Sequence, residues 1–285
     1  MGYSFEIITD STANLPKAFI EKQGIYVLPL TWISGEKEYS GSMEGEREAY
    51  ALFYEKLRKE KHISTSMSNQ RTAQKLVQKL LSEEKDILYI GLSSKLSGTF
   101  HMMERVLGYE AKKYPERKWY AVDSFAIGLG EGSLVFDAAK IRRRGEDIGA
   151  AYAWCCQRRW RLHTLFTVDD LGFLRRSGRA NAVLSTAGSV LKIKLLFSMQ
   201  DGGKLRQVGK VRGRKKALQE LTTLALTGLT EPQTIYISHG DCHEDACYVA
   251  KQMEKSEFVK KIIMQPLDPV SACHTGPNSI GIFFV

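Results

Sequence analysis

Short β-prone runs alternate with helix-spaced stretches through the first half of the chain, and no other pattern in the sequence narrows the fold as far. Phe5 to Ile8 is an apolar run ending in Asp10-Ser11-Thr12, and Pro16 then opens Lys17-Ala18-Phe19-Ile20 at a position where a helix tolerates proline. Ile25 to Leu30 is a second β-rich run, and Glu44 to Lys61 carries Ala49, Leu52, Phe53 and Leu57 at helical spacing. Ile87 to Leu92 reads as a third strand followed by a helical stretch through Tyr114, and Trp119 to Val122 as a fourth before Asp123-Ser124. Strands joined by helices of this length require right-handed crossovers. The pattern predicts a parallel sheet, with ligands bound beyond the carboxyl ends of its strands.

The second half changes character. Leu162 to Val168, Ile193 to Met199, Lys204 to Val211, Thr234 to His239, Lys261 to Leu267 and Ser279 to Val285 read as strands, with Asp201-Gly202-Gly203 as a turn between two of them. The fold class is therefore α/β in two domains: an N-terminal parallel-sheet α/β domain over 1–148 and a C-terminal mixed, largely antiparallel α+β domain over 149–285, divided near Gly145 to Gly149. A chain of 285 residues with 43% hydrophobic content can supply each with a core.

Several function classes drop out on composition. The net charge of +9 permits acidic partners but is not that of a basic nucleic-acid tail. The longest stretch free of Asp, Glu, Lys and Arg, Pro269 to Val285, contains Pro, Gly and His and is a poor membrane span, so no stable membrane insertion is expected. Met1-Gly2-Tyr3-Ser4-Phe5-Glu6 lacks a secretory or myristoylation pattern, and five cysteines without a CxxC pair suit reduced thiols better than disulfides or zinc. A cytoplasmic location, no metal and no cofactor are expected.

Three hydroxyl-rich segments sit where strands give way to helices: Asp10-Ser11-Thr12, Ser64-Thr65-Ser66-Met67-Ser68 and Ser93-Ser94-Lys95-Leu96-Ser97-Gly98-Thr99. Each alone fits a helix cap. The third has four hydroxyls in seven residues, and Gly98 admits a ligand to the backbone beside a helix start, which suits a carboxylate. No GxxxxGK[ST], strand-borne GxGxxG or GxSxG is present; Gly128-Leu129-Gly130-Glu131-Gly132 has neither phosphate-loop spacing. The segment Arg206 to Lys216 carries six positive charges in eleven residues. It fits either a solvated sheet edge or a phosphate-contacting patch, the latter only with Arg142 to Arg144 and Arg158 to Arg161 on the same face. Gly178 after Arg175-Arg176-Ser177 fits a helix C-cap.

In order along the chain, Thr9-Asp10-Ser11-Thr12-Ala13 with Pro16, Thr65-Ser66-Met67-Ser68, Ser93 to Phe100, Val122-Asp123-Ser124, Leu171 to Arg179, Lys210 to Ala217 and His274-Thr275-Gly276-Pro277 resemble the DegV family of bacterial fatty-acid-binding proteins. The resemblance implies a long-chain fatty acid buried at the junction of two domains. It also implies a FakB-like role as the ligand-binding subunit of a fatty acid kinase, without catalysis of its own, presenting the acid to an ATP-dependent kinase subunit that makes acyl phosphate. By match to the family's motifs, Thr65 and Ser97 would bind the carboxyl group, with Ser66 and the Gly98 amide close by and His274 near the carboxylate; Arg179 would engage the kinase. The usual TSQPS, GGR and HTGPG become Thr65-Ser66-Met67-Ser68-Asn69, Ser177-Gly178-Arg179 and His274-Thr275-Gly276-Pro277-Asn278, where Asn278 can still take the left-handed conformation. A lone histidine such as His274 also fits a hydrogen-bonded packing role. Two other functions compete: a nucleic-acid-binding module using Arg206 to Lys216, although no nucleic-acid partner is expected, and a small-molecule hydrolase or transferase using Ser97 or His274.

Overall fold

The computed structural model describes residues 3–42, 47–60, 62–180 and 193–285. Among these, the strands are β1 (Glu6–Asp10), β2 (Ile25–Leu28), β3 (Thr31–Ser34), β4 (Lys37–Ser40), β5 (Ile63–Ser66), β6 (Ile87–Gly91), β7 (Trp119–Asp123), β8 (His163–Thr167), β9 (Ile193–Gln200), β10 (Lys204–Arg212), β11 (Gln233–His239), β12 (Val259–Pro266) and β13 (Ile280–Phe284).

The first sheet has the order β2-β1-β6-β7 and is parallel throughout. Side chains alternate across a strand, so a sheet covered on both faces needs apolar residues at consecutive positions. β1 shows this directly. Ile7 packs with Leu134, Val135 and Ala138 of the Leu129–Arg143 helix, whereas Ile8 packs on the opposite side with Val77, Leu80 and Met103 of the Gln70–Ser82 and Thr99–Glu110 helices. The expected helix over Glu44 to Lys61 is Arg47–Lys59; its expected ends at Glu44 and Lys61 lie outside the described residues.

The Ile148–Arg161 helix also belongs to this layer, with Ile148, Ala151 and Cys155 buried in the same core as Ile7. We propose on this ground a domain boundary after Arg161 in place of the expected one at 148/149.

The second sheet runs β10-β9-β8-β13-β11-β12, antiparallel except for β11 with β12. One face packs Leu165, Leu196, Ile235, Ile237 and Ile282 against the Arg214–Gly228 and His243–Met253 helices. The other face turns toward the first domain. Asp201, Gly202 and Gly203 all have positive φ in the turn joining β9 to β10. Because β10 is an edge strand, its basic residues face solvent, and Arg206 pairs with Asp201 while Arg214 pairs with Asp245 at 2.8 Å.

A three-stranded antiparallel sheet, β4-β3-β5, is an addition to the expected architecture. Pro29 has no N–H to donate, and β2 and β3 are separate strands on either side of it. β4 (Lys37-Glu38-Tyr39-Ser40) and β5 (Ile63-Ser64-Thr65-Ser66) lack an apolar signature of their own. Aromatic packing holds them: Trp32 stacks on Tyr39 at 4.2 Å and meets the edge of Phe53 at 5.0 Å. No helix among the described residues is long and apolar enough to cross a membrane.

Arg142, from the basic run Arg142-Arg143-Arg144, is buried. Its guanidinium donates to Phe5 O at 3.2 Å, to Glu6 Oε2 at 3.3 Å and to Gln23 O, and lies 3.8 Å from the Tyr3 ring centroid. Removing a buried cation strands each of these acceptors. Arg142→Ala is expected to lower the stability of the folded chain by about 3–5 kcal/mol in urea melts; a loss below about 1 kcal/mol would show that the cation does not hold the layer together.

Candidate functional site

Loops leaving the carboxyl ends of β1, β6 and β7 face the inner side of the second sheet, and a cavity lies between them. Thr12 comes from the first loop, Leu92, Leu96 and Ser97 from the second and Ile127 from the third, opposite Phe166, Met199, Leu205 and Phe283 of β8, β9, β10 and β13. This is where the open-sheet rule places a ligand. Most of the wall is apolar. Its polar lining residues include Thr65, Ser66, Ser97, Ser177, Arg179 and His274, of which Thr65 and His274 are in direct contact.

Thr65 enters through the small sheet. Within β5 its neighbours Ser64 and Ser66 are exposed, while Thr65 lies opposite Trp32 in the ladder and is half-buried. His274 enters through the short helix Pro269–Thr275, which starts with a proline at its first position and with Asp268 accepting the Ser271 N–H at 2.9 Å. Thr65 Oγ1 and His274 Nε2 are 2.8 Å apart, across 209 residues of sequence. Burial holds the His274 imidazole down to about 4, with the nearby Arg179 charge acting in the same direction, so the ring is neutral at pH 7.

Ser97 is both a cap and a cavity-lining residue. Its Oγ accepts the Thr99 N–H at 3.2 Å, as a cap does, and lines the cavity as well. Its own N–H donates to Ser93 O at 3.2 Å, which makes the loop a compact turn. Gly98 is not among the lining residues. Its φ of −75° is open to any residue, and a Cβ there would meet only the terminal atoms of Met67, at ordinary contact distance. Ser66 sits at the rim with an exposed side chain.

Arg179 lies just beyond the Leu171–Ser177 helix and donates from Nη1 to Ser177 O at 2.6 Å. Of the family departures, Ser177 is the last residue of that helix, and left-handed Gly178 forms the cap, so the glycine missing at 177 is not needed for the turn. Asn278 has φ 60°, the left-handed conformation anticipated for it. Asn69, in the segment that lacks the family's proline, caps the Gln70–Ser82 helix by accepting the Thr72 N–H at 3.1 Å.

Thr12, Met67, Ser177 and Ser271 also line the cavity and were not among the expected ligand-binding residues. Thr12 carried a signal, since it belongs to a hydroxyl-rich strand end; Ser271 did not. Of the clusters needed for a nucleic-acid face, Arg142 is buried, Arg158 pairs with Asp137 at 2.6 Å and Arg159 donates to the Asp123 carbonyl at 3.0 Å. Among the described residues, His274 has no carboxylate hydrogen-bonded to it, and its hydroxyl partner is Thr65 rather than Ser97.

The DegV family profile, described as "Uncharacterised protein, DegV family", matches residues 4–285. A DegV domain-containing protein of Clostridium perfringens is 34% identical over 99% of this chain and 97% of its own. A solved structure of a DegV family protein from Thermus thermophilus, titled for its fatty acid binding, is 25% identical with a TM-score of 0.87, covering 98% of each chain. One of DegV from Bacillus subtilis, described as a fatty acid binding protein, is 25% identical with a TM-score of 0.84, covering 99% of each. With its sequence matched almost from end to end and its two-domain α/β architecture shared, the chain belongs to the DegV family.

Proposed function

We propose that the cavity holds a long-chain fatty acid whose carboxylate lies at Thr65, Ser97 and His274, and that the protein presents it to a separate ATP-dependent kinase subunit for acyl-phosphate formation. The observation that carries this reading is the Thr65–His274 contact in the wall of a largely apolar cavity. The fatty acid binding stated for the Thermus and Bacillus relatives supports the ligand class.

Tail and head have different roles. At about 0.8 kcal/mol per methylene, a tail of roughly fourteen methylenes contributes a gross term on the order of 11 kcal/mol before ordering costs. Hydrogen bonds to a charged carboxylate add about 1.5–3 kcal/mol each, which largely offsets its desolvation. The tail sets affinity and the head sets direction. A neutral His274 has a single N–H. Placed on Nε2, that proton goes to Thr65 Oγ1 and leaves the Thr65 hydroxyl proton for the carboxylate. The kinase subunit supplies ATP and the phosphoryl-transfer groups, so this chain acts as a cytoplasmic binding subunit without catalysis of its own, and Arg179, exposed at the rim, is placed to meet the partner.

Natively purified protein is expected to release fatty acid into organic extracts, or to take up added palmitate or oleate. Replacing Thr65 and Ser97 together by Ala is expected to weaken palmitate binding at least about tenfold; undiminished affinity would place the carboxylate elsewhere.

The neutral histidine has a signed consequence for stability. An imidazole that titrates near 6.5 in the unfolded chain titrates near 4 in the folded one. Between these values the unfolded state binds the extra proton, so the contribution of His274 is complete above pH 6.5 and is lost as pH falls toward 4. Asp268, raised by burial to about 7, has the opposite slope, and comparing native protein with His274→Gln cancels it. Between pH 7 and 5 the native protein is expected to lose about 1–2 kcal/mol more stability than the variant in urea melts. Equal losses would mean that the ring is solvated like a free histidine.

A further inference from the structure

The cavity wall contains a hydroxyl whose single proton cannot serve both of its neighbours. Thr12 Oγ1 lies 2.5 Å from Asp10 Oδ1 and 2.8 Å from Glu131 Oε2. Ionised carboxylates only accept hydrogen bonds, and a threonine hydroxyl has one proton to donate. All three side chains are buried. Both contacts are hydrogen bonds only if one of the carboxyl groups brings a proton of its own.

The surrounding donors decide which. Asp10 accepts the main-chain N–H of Thr12 at 2.9 Å and of Leu92 at 3.1 Å, and the Tyr89 hydroxyl lies 3.4 Å from its Oδ2. Such donors stabilise a charged carboxylate. Among the described residues Glu131 meets two hydroxyls, Thr12 and, at 3.0 Å, Thr9, and no main-chain N–H. The acidic groups facing it are Asp10 from β1 and Asp268 at the start of the Pro269–Thr275 helix, and both charges add to burial in opposing its ionisation.

We propose that Glu131 is protonated at neutral pH and donates from Oε2 to Thr12 Oγ1, so that the Thr12 proton goes to Asp10 and the chain positions the loop bearing Ser97. The route to Ser97 is short. Asp10 holds the Leu92 N–H, and the next residue, Ser93, accepts the N–H groups of Leu96 at 2.9 Å and Ser97 at 3.2 Å. Gly132 lets the Leu129–Arg143 helix come this close, since a Cβ there would run into the Ala13 carbonyl oxygen. Glu131 is thus a positioning residue; its protonation stands without any ligand, while its effect on Ser97 rests on the fatty-acid reading.

Infrared difference spectra at pH 7 between the native full chain and Glu131→Gln are expected to show the carbonyl stretch of one protonated carboxylic acid, beyond the partly protonated Asp268 that both proteins share. The glutamine amide donates to Thr12 and accepts from Thr9 in its place, so palmitate affinity is expected to stay within about threefold of native in Glu131→Gln and to fall at least about tenfold in Glu131→Ala. A difference spectrum without that band, or a well-folded Glu131→Gln that binds as poorly as Glu131→Ala, overturns the proposal. If Glu131→Ala does not fold, the band and the rescue by glutamine still decide it. A band in native protein that takes up no palmitate supports the protonation and overturns the fatty-acid reading together with the role at Ser97.

Discussion

The ligand face is organised by five consecutive residues, Asp10 to Asn14, whose polar side chains reach four other parts of the chain. Asp10 holds the loop after β6 through the Leu92 N–H, Ser11 accepts the Leu30 N–H at 3.1 Å, and Thr12 meets Glu131 at 2.8 Å. Asn14, at φ 58°, donates to the Pro266 carbonyl at 2.7 Å and accepts from the Ser238 hydroxyl at 3.1 Å, both in the second sheet. A strand end ordinarily leaves its polar groups to water. Here they are buried, and a buried polar group without a partner costs about 1–3 kcal/mol. The turn therefore fixes the positions of the loops after β2 and β6 and of β11 and β12 relative to β1. The cavity inherits its shape from that turn.

Much of the framework was legible because the residues that build it repeat. The consecutive apolar positions of β1, β6 and β7 announce a sheet covered on both faces, and the Asp-Gly-Gly turn announces the β9–β10 hairpin. Strands β4 and β5 were not legible. Lys37-Glu38-Tyr39-Ser40 has no period-two pattern, and its partner strand is held by Trp32 and by Phe53 from a helix further along the chain. That pairing is a tertiary effect that local propensity does not carry. The placement of the Ile148–Arg161 helix is of the same kind, because a basic run followed by glycines reads as a linker, whereas Arg142 is in fact drawn into the first domain by Tyr3, Phe5 and Gln23.

The proposed head-group site was legible only as a set of candidates. Hydroxyl-rich strand ends flagged Thr65 and Ser97, but the same residues serve as caps, and Ser97 does serve as one. Nothing local in Cys273-His274-Thr275 distinguishes a packing histidine from one at a ligand, and the pairing of His274 with Thr65 exists only once the small sheet brings β5 against the Pro269–Thr275 helix. Glu131 was the least visible. It sits in a glycine-rich segment that matched no phosphate-loop spacing, and those glycines allow the close helix approach that buries its carboxyl group.

On the proposed reading, the charge around the cavity suits a carboxylate that is held yet remains reactive. A bidentate arginine pair would bind the head group strongly and occupy both oxygens. On the proposed reading, the donors to the head group are the Thr65 and Ser97 hydroxyls, with an uncharged imidazole behind Thr65, while the Arg179 guanidinium is engaged by the Ser177 carbonyl. Hydroxyl donors fix the direction of the head group and leave electron density on its oxygens. The cation outside them supplies attraction at longer range. A protonated Glu131 extends the same arrangement inward, since it lets Asp10 keep its charge for the Leu92 and Thr12 N–H groups without placing a second anion beside it. With Arg179 engaged by Ser177 and the Asp10 and Glu131 carboxyl groups engaged behind the wall, the proposed head group meets neutral donors, which is the environment in which a carboxylate can enter, be oriented and leave.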